Sequence, residues 1–200
     1  MSAIQSVTVY CSSSSAIPKA YPEAGAALGK AIAKQGWALV YGGNFVGLMA
    51  TVAQAARDAG GKVIGITPQL MHDKGMSDTK ADELVVTNDM RDRKALLERR
   101  GDAFVALPGG LGTFEELFEI IVGKQLAYHN KPIVLLNVAG YYDPLIAMID
   151  HAIEQKFIKP KARDLYHVSN DVSDCIHHIR NYVPPANADK WYTGMPSASE

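Results

Sequence analysis

The chain has 200 residues, 48% of them hydrophobic, and a formal net charge of −1 at pH 7. That is enough for one well-buried core and too little for two ordinary domains with linkers, and it excludes the basic field that non-specific nucleic-acid binding needs. Two cysteines, Cys11 and Cys175, exclude a disulfide framework; with no apolar run of membrane-spanning length and no signal-peptide pattern, a soluble cytoplasmic protein is expected.

Ser6 to Cys11 alternates and then runs apolar, which predicts a strand, followed by the polar loop Ser12 to Ser15. Tyr21 to Gln35 carries Leu28, Ile32 and alanines at helical spacing, and Gly36 stops that helix. Trp37 to Tyr41 is a second strand and Gly42 to Gly47 a turn. Leu48 to Ala59 is an alanine-rich helix closed by Gly60 and Gly61, and Lys62 to Thr67 is a third strand ended by Pro68. Gln69 to Asp82 has no clear period and is expected to form an excursion near the site. Glu83 to Thr87 is a short strand, Asn88 or Asp89 an N-cap, and Met90 to Arg100 a helix ended by Gly101. Ala103 to Leu107 is a buried central strand, with a helix expected from Thr113 to about Tyr128. Ile133 to Val138, Asp143 to Gln155, Asp164 to Val168 and Val172 to Tyr182 follow as strand, helix, weaker strand and helix. This alternation predicts one domain over 1–183, a three-layer Rossmann-like α/β fold with a doubly wound parallel sheet and helices on both faces. Residues 184–200 hold Pro, Gly, Ser and Asn with little to bury, and are expected to be a tail.

The densest motif is Pro108-Gly109-Gly110-Leu111-Gly112-Thr113-Phe114-Glu115-Glu116. It lies between the central strand and a segment with Phe114, Leu117, Phe118 and Ile121 at helical spacing, so it is a strand, glycine turn and helix start. Glycines let a ligand approach the backbone, and the first turn of a helix offers unpaired N–H groups and a positive dipole end. A nucleotide phosphate fits such a turn, with the Thr113 hydroxyl as a further donor. Thr113 and Glu116 also match a capping box, so cap and chemistry both stand as explanations of these two residues.

These residues resemble the P-G-G-x-G-T-x-x-E signature of the LONELY GUY (LOG) family, cytokinin riboside 5'-monophosphate phosphoribohydrolases. Met90-Arg91-Asp92-Arg93-Lys94 is similar to the family's M-H-x-R-K, and Tyr41 to Met49 to its Y-G-G-G-x-x-G-L-M. Val9 to Ser14 is similar to V-Y-C-G-S-S, and Lys131 to Tyr142 to K-P-x-x-L-L-N-x-x-G-Y-Y. Five motifs in register cover roughly Val7 to Ile158.

The resemblance implies hydrolysis of the N-glycosidic bond of a purine ribonucleoside 5'-monophosphate, with no metal or organic cofactor, in a homodimer. It makes Arg93 and Glu116 the catalytic residues. Gly43, Met90, Lys94, Gly109, Gly110, Leu111, Gly112, Thr113 and Glu115 become the substrate-binding set. On the residues alone, Arg93 and Lys94 also suit a solvated charged helix face, and Glu115, Glu116 and Glu119 suit ordinary exposed positions off the apolar stripe. Several positions depart from the family: Arg91 for its histidine, Asn44 for its third glycine, Ser12 for a glycine, Gly75 for an acidic residue and Val122 for a threonine. These bear on the choice between a cytokinin base and plain adenine. Hydrolysis of AMP or of purine nucleotides generally, and non-catalytic binding of a nucleotide or molybdenum cofactor, are the alternatives. The scattered histidines form no metal motif, and neither G-x-S-x-G nor G-x-G-x-x-G occurs where its chemistry would require.

Overall fold

The computed structural model describes residues 4–184. All of the expected tail except its first residue, Pro184, lies outside the described residues. Seven parallel strands form one sheet: β1 (Ser6–Tyr10), β2 (Ala38–Tyr41), β3 (Val63–Pro68), β4 (Glu83–Thr87), β5 (Ala103–Ala106), β6 (Ile133–Leu136) and β7 (His167–Ser169). Their order is β4-β3-β2-β1-β5-β6-β7, so the chain winds outward from β1 to one edge and then restarts on its other side with β5. The crevice between the carboxyl ends of β1 and β5 is therefore the topological switch point, where such sheets bind ligands.

Strand side chains alternate between two cores, as the period of two requires. Val7, Val9, Leu39, Tyr41, Val105 and Leu136 face α1 (Ala20–Lys34), α2 (Gly47–Asp58) and α7 (Val172–Arg180). Tyr10, Val40, Phe104, Ala106 and Leu135 face the other side, covered by α4 (Met90–Arg100), α5 (Leu111–Gln125) and α6 (Asp143–Glu154). This is the expected three-layer arrangement. Its first two helices touch closely because α1 has glycine at the contact. A Cβ on Gly29 would lie 2.3 Å from the Val52 carbonyl oxygen.

Several boundaries differ from the sequence pattern. The excursion after β3 opens with a short helix, α3 (Gln69–Asp73), and Asp89 rather than Asn88 caps α4, accepting from the N–H groups of Arg91 and Asp92. Beyond β6, Val138–Gly140 is a 3-10 turn, so the strand ends earlier than Val138. The segment expected to begin a strand at Asp164 is still in a 3-10 helix, Pro160–Leu165, and β7 starts only at His167. The largest correction concerns α5, which starts at Leu111 and ends at Gln125 instead of running from Thr113 to about Tyr128. Gly110 is extended and takes the N-cap position, so Thr113 falls at the third helical residue and no side chain caps the helix. The capping box between Thr113 and Glu116 does not form.

Candidate active site

The carboxyl ends of β1, β2 and β5 converge on one cleft of about 390 Å³. Ser12 to Ser14 supply its floor from β1, Gly42 and Asn44 one wall from β2, and Gly110 to Thr113 the other wall from β5. Backbone contacts knit the three turns together. Ser12 N–H donates to the Pro108 carbonyl at 3.3 Å, and Met49 N–H to the Ser12 carbonyl at 3.3 Å. Gly47 has φ +60 and passes so close to Ser13 that a Cβ would meet its carbonyl carbon at 2.3 Å, which no other residue type tolerates.

On the β5 side, the first hydrogen bond of α5 runs from Phe114 N–H to the Gly110 carbonyl. The N–H groups of Leu111, Gly112 and Thr113 thus precede the helical ladder and, with the helix dipole, make an anion seat. Thr113 is buried, and its Oγ1 packs where a Cβ on Gly109 would be, 2.1 Å away. The Gly109 carbonyl accepts from the Tyr141 hydroxyl, and Leu107 carbonyl from Tyr142 at 2.8 Å. These two tyrosines brace the turn from behind.

Arg93 and Glu116 meet in the middle of the cleft. Arg93 Nη1 donates to Glu116 Oε1 at 2.8 Å and Nε to the Ile66 carbonyl at 3.0 Å. Both side chains are nearly buried, at 10% and 11% exposure. Gly42 makes room for the guanidinium, since a Cβ there would lie 2.1 Å from Arg93 Nη2. Burial pushes the Glu116 carboxyl above its ordinary range, and the attraction of Arg93 opposes that rise without cancelling it. The neighbouring Tyr10 hydroxyl and Cys11 thiol are raised too, chiefly by burial, so both stay protonated at neutral pH. Arg93 is therefore no member of a solvated charged face, and it is tied to Glu116 across 23 residues of sequence.

Lys94 turns the other way. Its Nζ lies 2.7 Å from Glu115 Oε1 and 2.9 Å from Glu119 Oε2, and these bonds hold its pKa up. Of the residues singled out in the sequence, Met90, Arg93, Gly110, Leu111, Gly112, Thr113, Glu115 and Glu116 line the cleft together. Gly43, Lys94 and Gly109 stand outside that lining, each engaged elsewhere. Gly43, at φ +70, packs against the Ile66 backbone, Lys94 is taken by its two glutamates, and Gly109 is wedged against Thr113. The expected set of site residues left out the lining residues Val9 to Ser14, Gly42, Asn44 and Met49. Their places in the Val9 to Ser14 and Tyr41 to Met49 motifs, each at the end of a strand, signalled them.

Fold and site together define a Rossmann-like α/β protein with an anion seat and a buried arginine–glutamate pair at its switch point. A family model described as "Possible lysine decarboxylase" matches residues 49–179. A probable cytokinin riboside 5'-monophosphate phosphoribohydrolase of Oryza sativa subsp. japonica is 44% identical over 178 residues, covering 89% of this chain and 78% of the relative. A cytokinin riboside 5'-monophosphate phosphoribohydrolase of Arabidopsis thaliana is 41% identical over 178 residues, with the same coverage of 89% and 78%. The chain belongs to the LOG family of cytokinin riboside 5'-monophosphate phosphoribohydrolases. Among solved structures, the molybdenum cofactor binding protein of Rippkaea orientalis matches with a TM-score of 0.68 at 22% identity, covering 88% of this chain and 95% of that one. The Moco carrier protein of Chlamydomonas reinhardtii matches at 0.67 and 24%, covering 88% and 95%. At that identity the likeness is one of fold. The decarboxylase description finds no counterpart in the site chemistry, because Lys94 beside the cleft is held as an ammonium between two carboxylates rather than freed as an amine nucleophile.

Proposed function

We propose that this protein hydrolyses the N-glycosidic bond of cytokinin riboside 5'-monophosphates, releasing the free base and ribose 5-phosphate. The observation that carries the proposal is the Glu116–Arg93 pair, 2.8 Å apart, lining the same cleft as the N-terminal turn of α5. The phosphate sits on the N–H groups of Leu111, Gly112 and Thr113, and the ribose lies over Glu116. As the bond from C1' to the base nitrogen breaks, the electron pair leaves with the base and positive charge builds on the ribose. The Glu116 carboxylate stabilises that charge and takes a proton from the attacking water, whose oxygen bonds to C1'. The departing base acquires a proton from solvent. Arg93 stays charged throughout and acts by position and field, keeping Glu116 in its anionic form against the cost of burial.

The test is to incubate purified protein with AMP and with isopentenyladenosine monophosphate and follow free base by chromatography. Isopentenyladenosine monophosphate is expected to be cleaved at the higher kcat/KM. Higher kcat/KM on AMP would assign a plain AMP phosphoribohydrolase, and turnover of neither with retained nucleotide binding would assign a carrier. The phosphate seat makes a further demand. Monophosphates should be cleaved much faster than the nucleoside or the triphosphate, since a helix N-terminus sized for one phosphate supplies the binding energy that aligns the ribose. Equal rates on nucleoside and monophosphate would refute that role.

The protein acts in the cytoplasm as a homodimer. Supporting this, Met90 and Leu111 at the cleft rim and Phe118 and Val122 further along α5 are exposed apolar side chains. An apolar α5 surface of that kind is what a second copy would cover. Light scattering at micromolar concentration should return a dimer mass, and a monomer mass overturns it. Among the described residues, no helix is long and apolar enough to cross a membrane.

A further inference from the structure

Asn44 stands where the family motif has its third glycine, and the fold gives it an unusual setting. Its backbone is pinned on both sides by the strap that follows α3. Asp78 N–H donates to the Gly43 carbonyl at 2.7 Å, Phe45 N–H donates to the Met76 carbonyl at 3.4 Å, and Asn44 itself pairs with Ser77 in an antiparallel bridge. The strap is anchored in turn. Asp78 accepts from the Tyr41 hydroxyl and from Arg57 Nη2, each at 2.7 Å. Asn44 lines the cleft, yet among the described residues its Oδ1 is buried with no hydrogen-bond partner. A buried acceptor without a donor costs stability, and no bond inside the protein holds that end of the amide in place. Rotation of the amide into the cleft would bring that oxygen to a donor on a bound ligand.

We propose that Asn44 is a specificity-determining residue that reads the edge of an adenine-type base, an inference that rests on the nucleotide hydrolase proposed above. Position supports it. The Gly42 to Asn44 turn follows β2 and the phosphate seat follows β5, with β1 between them. Two strand spacings separate them by about 10 Å, comparable to the span from phosphate to base in a mononucleotide. Chemistry supports it too. An asparagine amide pairs with adenine by accepting from the N6–H and donating to N7. An N6-substituted adenine keeps one N6–H and is accepted in the same way. Hypoxanthine presents O6 and N7, two acceptors, and one amide cannot match both.

The experiment compares AMP with IMP as substrates for the wild-type protein, Asn44→Ala and Asn44→Gly, with thermal midpoints alongside. Both variants should lose about tenfold or more in kcat/KM for AMP and change by less than about threefold for IMP, so that the preference collapses. Their midpoints should hold or rise, because the substitution removes an acceptor that has no partner. An unchanged AMP-to-IMP preference overturns the proposal. So does an equal fall on both substrates with a lowered midpoint, which marks a structural residue. If the wild-type protein cleaves neither nucleotide, the hydrolase reading fails on its own. The Asn44 inference is then decided by equilibrium binding of AMP and IMP to the same three proteins, where it stands only if the binding preference collapses in both variants.

Discussion

Glu116→Gln should fold like the wild-type protein and lose at least about a hundredfold in turnover, or roughly 2.7 kcal/mol of transition-state stabilisation. Both halves follow from the burial of the carboxylate. Glutamine keeps the shape and can still accept from Arg93 Nη1, but it supplies neither negative charge to the ribose nor a base for water. The fold loses little because burial outweighs Arg93 in setting the Glu116 pKa. A carboxyl whose folded pKa is raised favours the folded state fully only below its unfolded pKa, and that contribution fades as pH rises through the folded value. At neutral pH the charge is thus a net cost, and a neutral isostere whose oxygen still accepts from Arg93 Nη1, so that the buried guanidinium keeps that partner, should leave the midpoint within about 3 °C. The same shift sets the pH profile of the wild-type enzyme. The acidic limb of kcat/KM should fall at a pH above the ordinary carboxylate range, since Glu116 must be ionised to act. Glu115→Gln is the control for charge near the helix N-terminus and should be milder, because Glu115 lines the cleft but is paired with Lys94, which keeps Glu119. A Glu116→Gln protein with near wild-type turnover would refute the assigned mechanism.

Most of the scaffold behind this site was legible from local pattern. Strict alternation of β and α, glycines at turns and period-two strands gave the three-layer sheet, because each signal acts within a few residues. The start of α5 was not legible for the same local reason. Gly109, Gly110 and Gly112 leave several places where a helix can begin, and the threonine-to-glutamate spacing favoured Thr113 as cap. Tertiary packing decided otherwise, setting Thr113 against Gly109 and turning Glu116 to Arg93. Arg93 itself looked like one charge among many, since α4 carries Arg91, Asp92, Lys94, Glu98, Arg99 and Arg100. Its burial depends on the Ile66 carbonyl, 27 residues back, and on Glu116, 23 residues ahead. Only the family motif pointed to it. The clamp of Tyr41, Arg57 and Asp78 had no motif either, because Asp78 lies in the aperiodic excursion and its partners are 37 and 21 residues away.

Arg93→Ala should be damaging in a second way that Glu116→Gln is not. Removing the guanidinium leaves the Ile66 carbonyl without that donor and a buried Glu116 carboxylate without its counter-charge. Breaking one side of a buried pair in this manner costs about 3 kcal/mol or more. For a chain of this size that is a fall of roughly 6 to 12 °C in midpoint. The carboxyl escapes part of the cost by taking up a proton, because its pKa, already raised, loses the one strong attraction that held it down. Protonation also removes the group that catalysis needs, so turnover should fall at least as far as in Glu116→Gln, by about a hundredfold or more. Arg93→Lys should not restore activity. An ammonium carries the charge but lacks the planar fork that reaches Ile66 and Glu116 together. The double variant Arg93→Ala with Glu116→Gln separates the two effects. With the carboxylate replaced, no buried charge remains to be compensated, so its midpoint should lie above that of Arg93→Ala alone, while activity stays absent. Midpoint changes that simply add across the two substitutions would show that the pair is not energetically coupled. Arg93 would then hold the strand end and the glycine turn in place without tuning the carboxylate, and the electrostatic part of the mechanism would have to be abandoned.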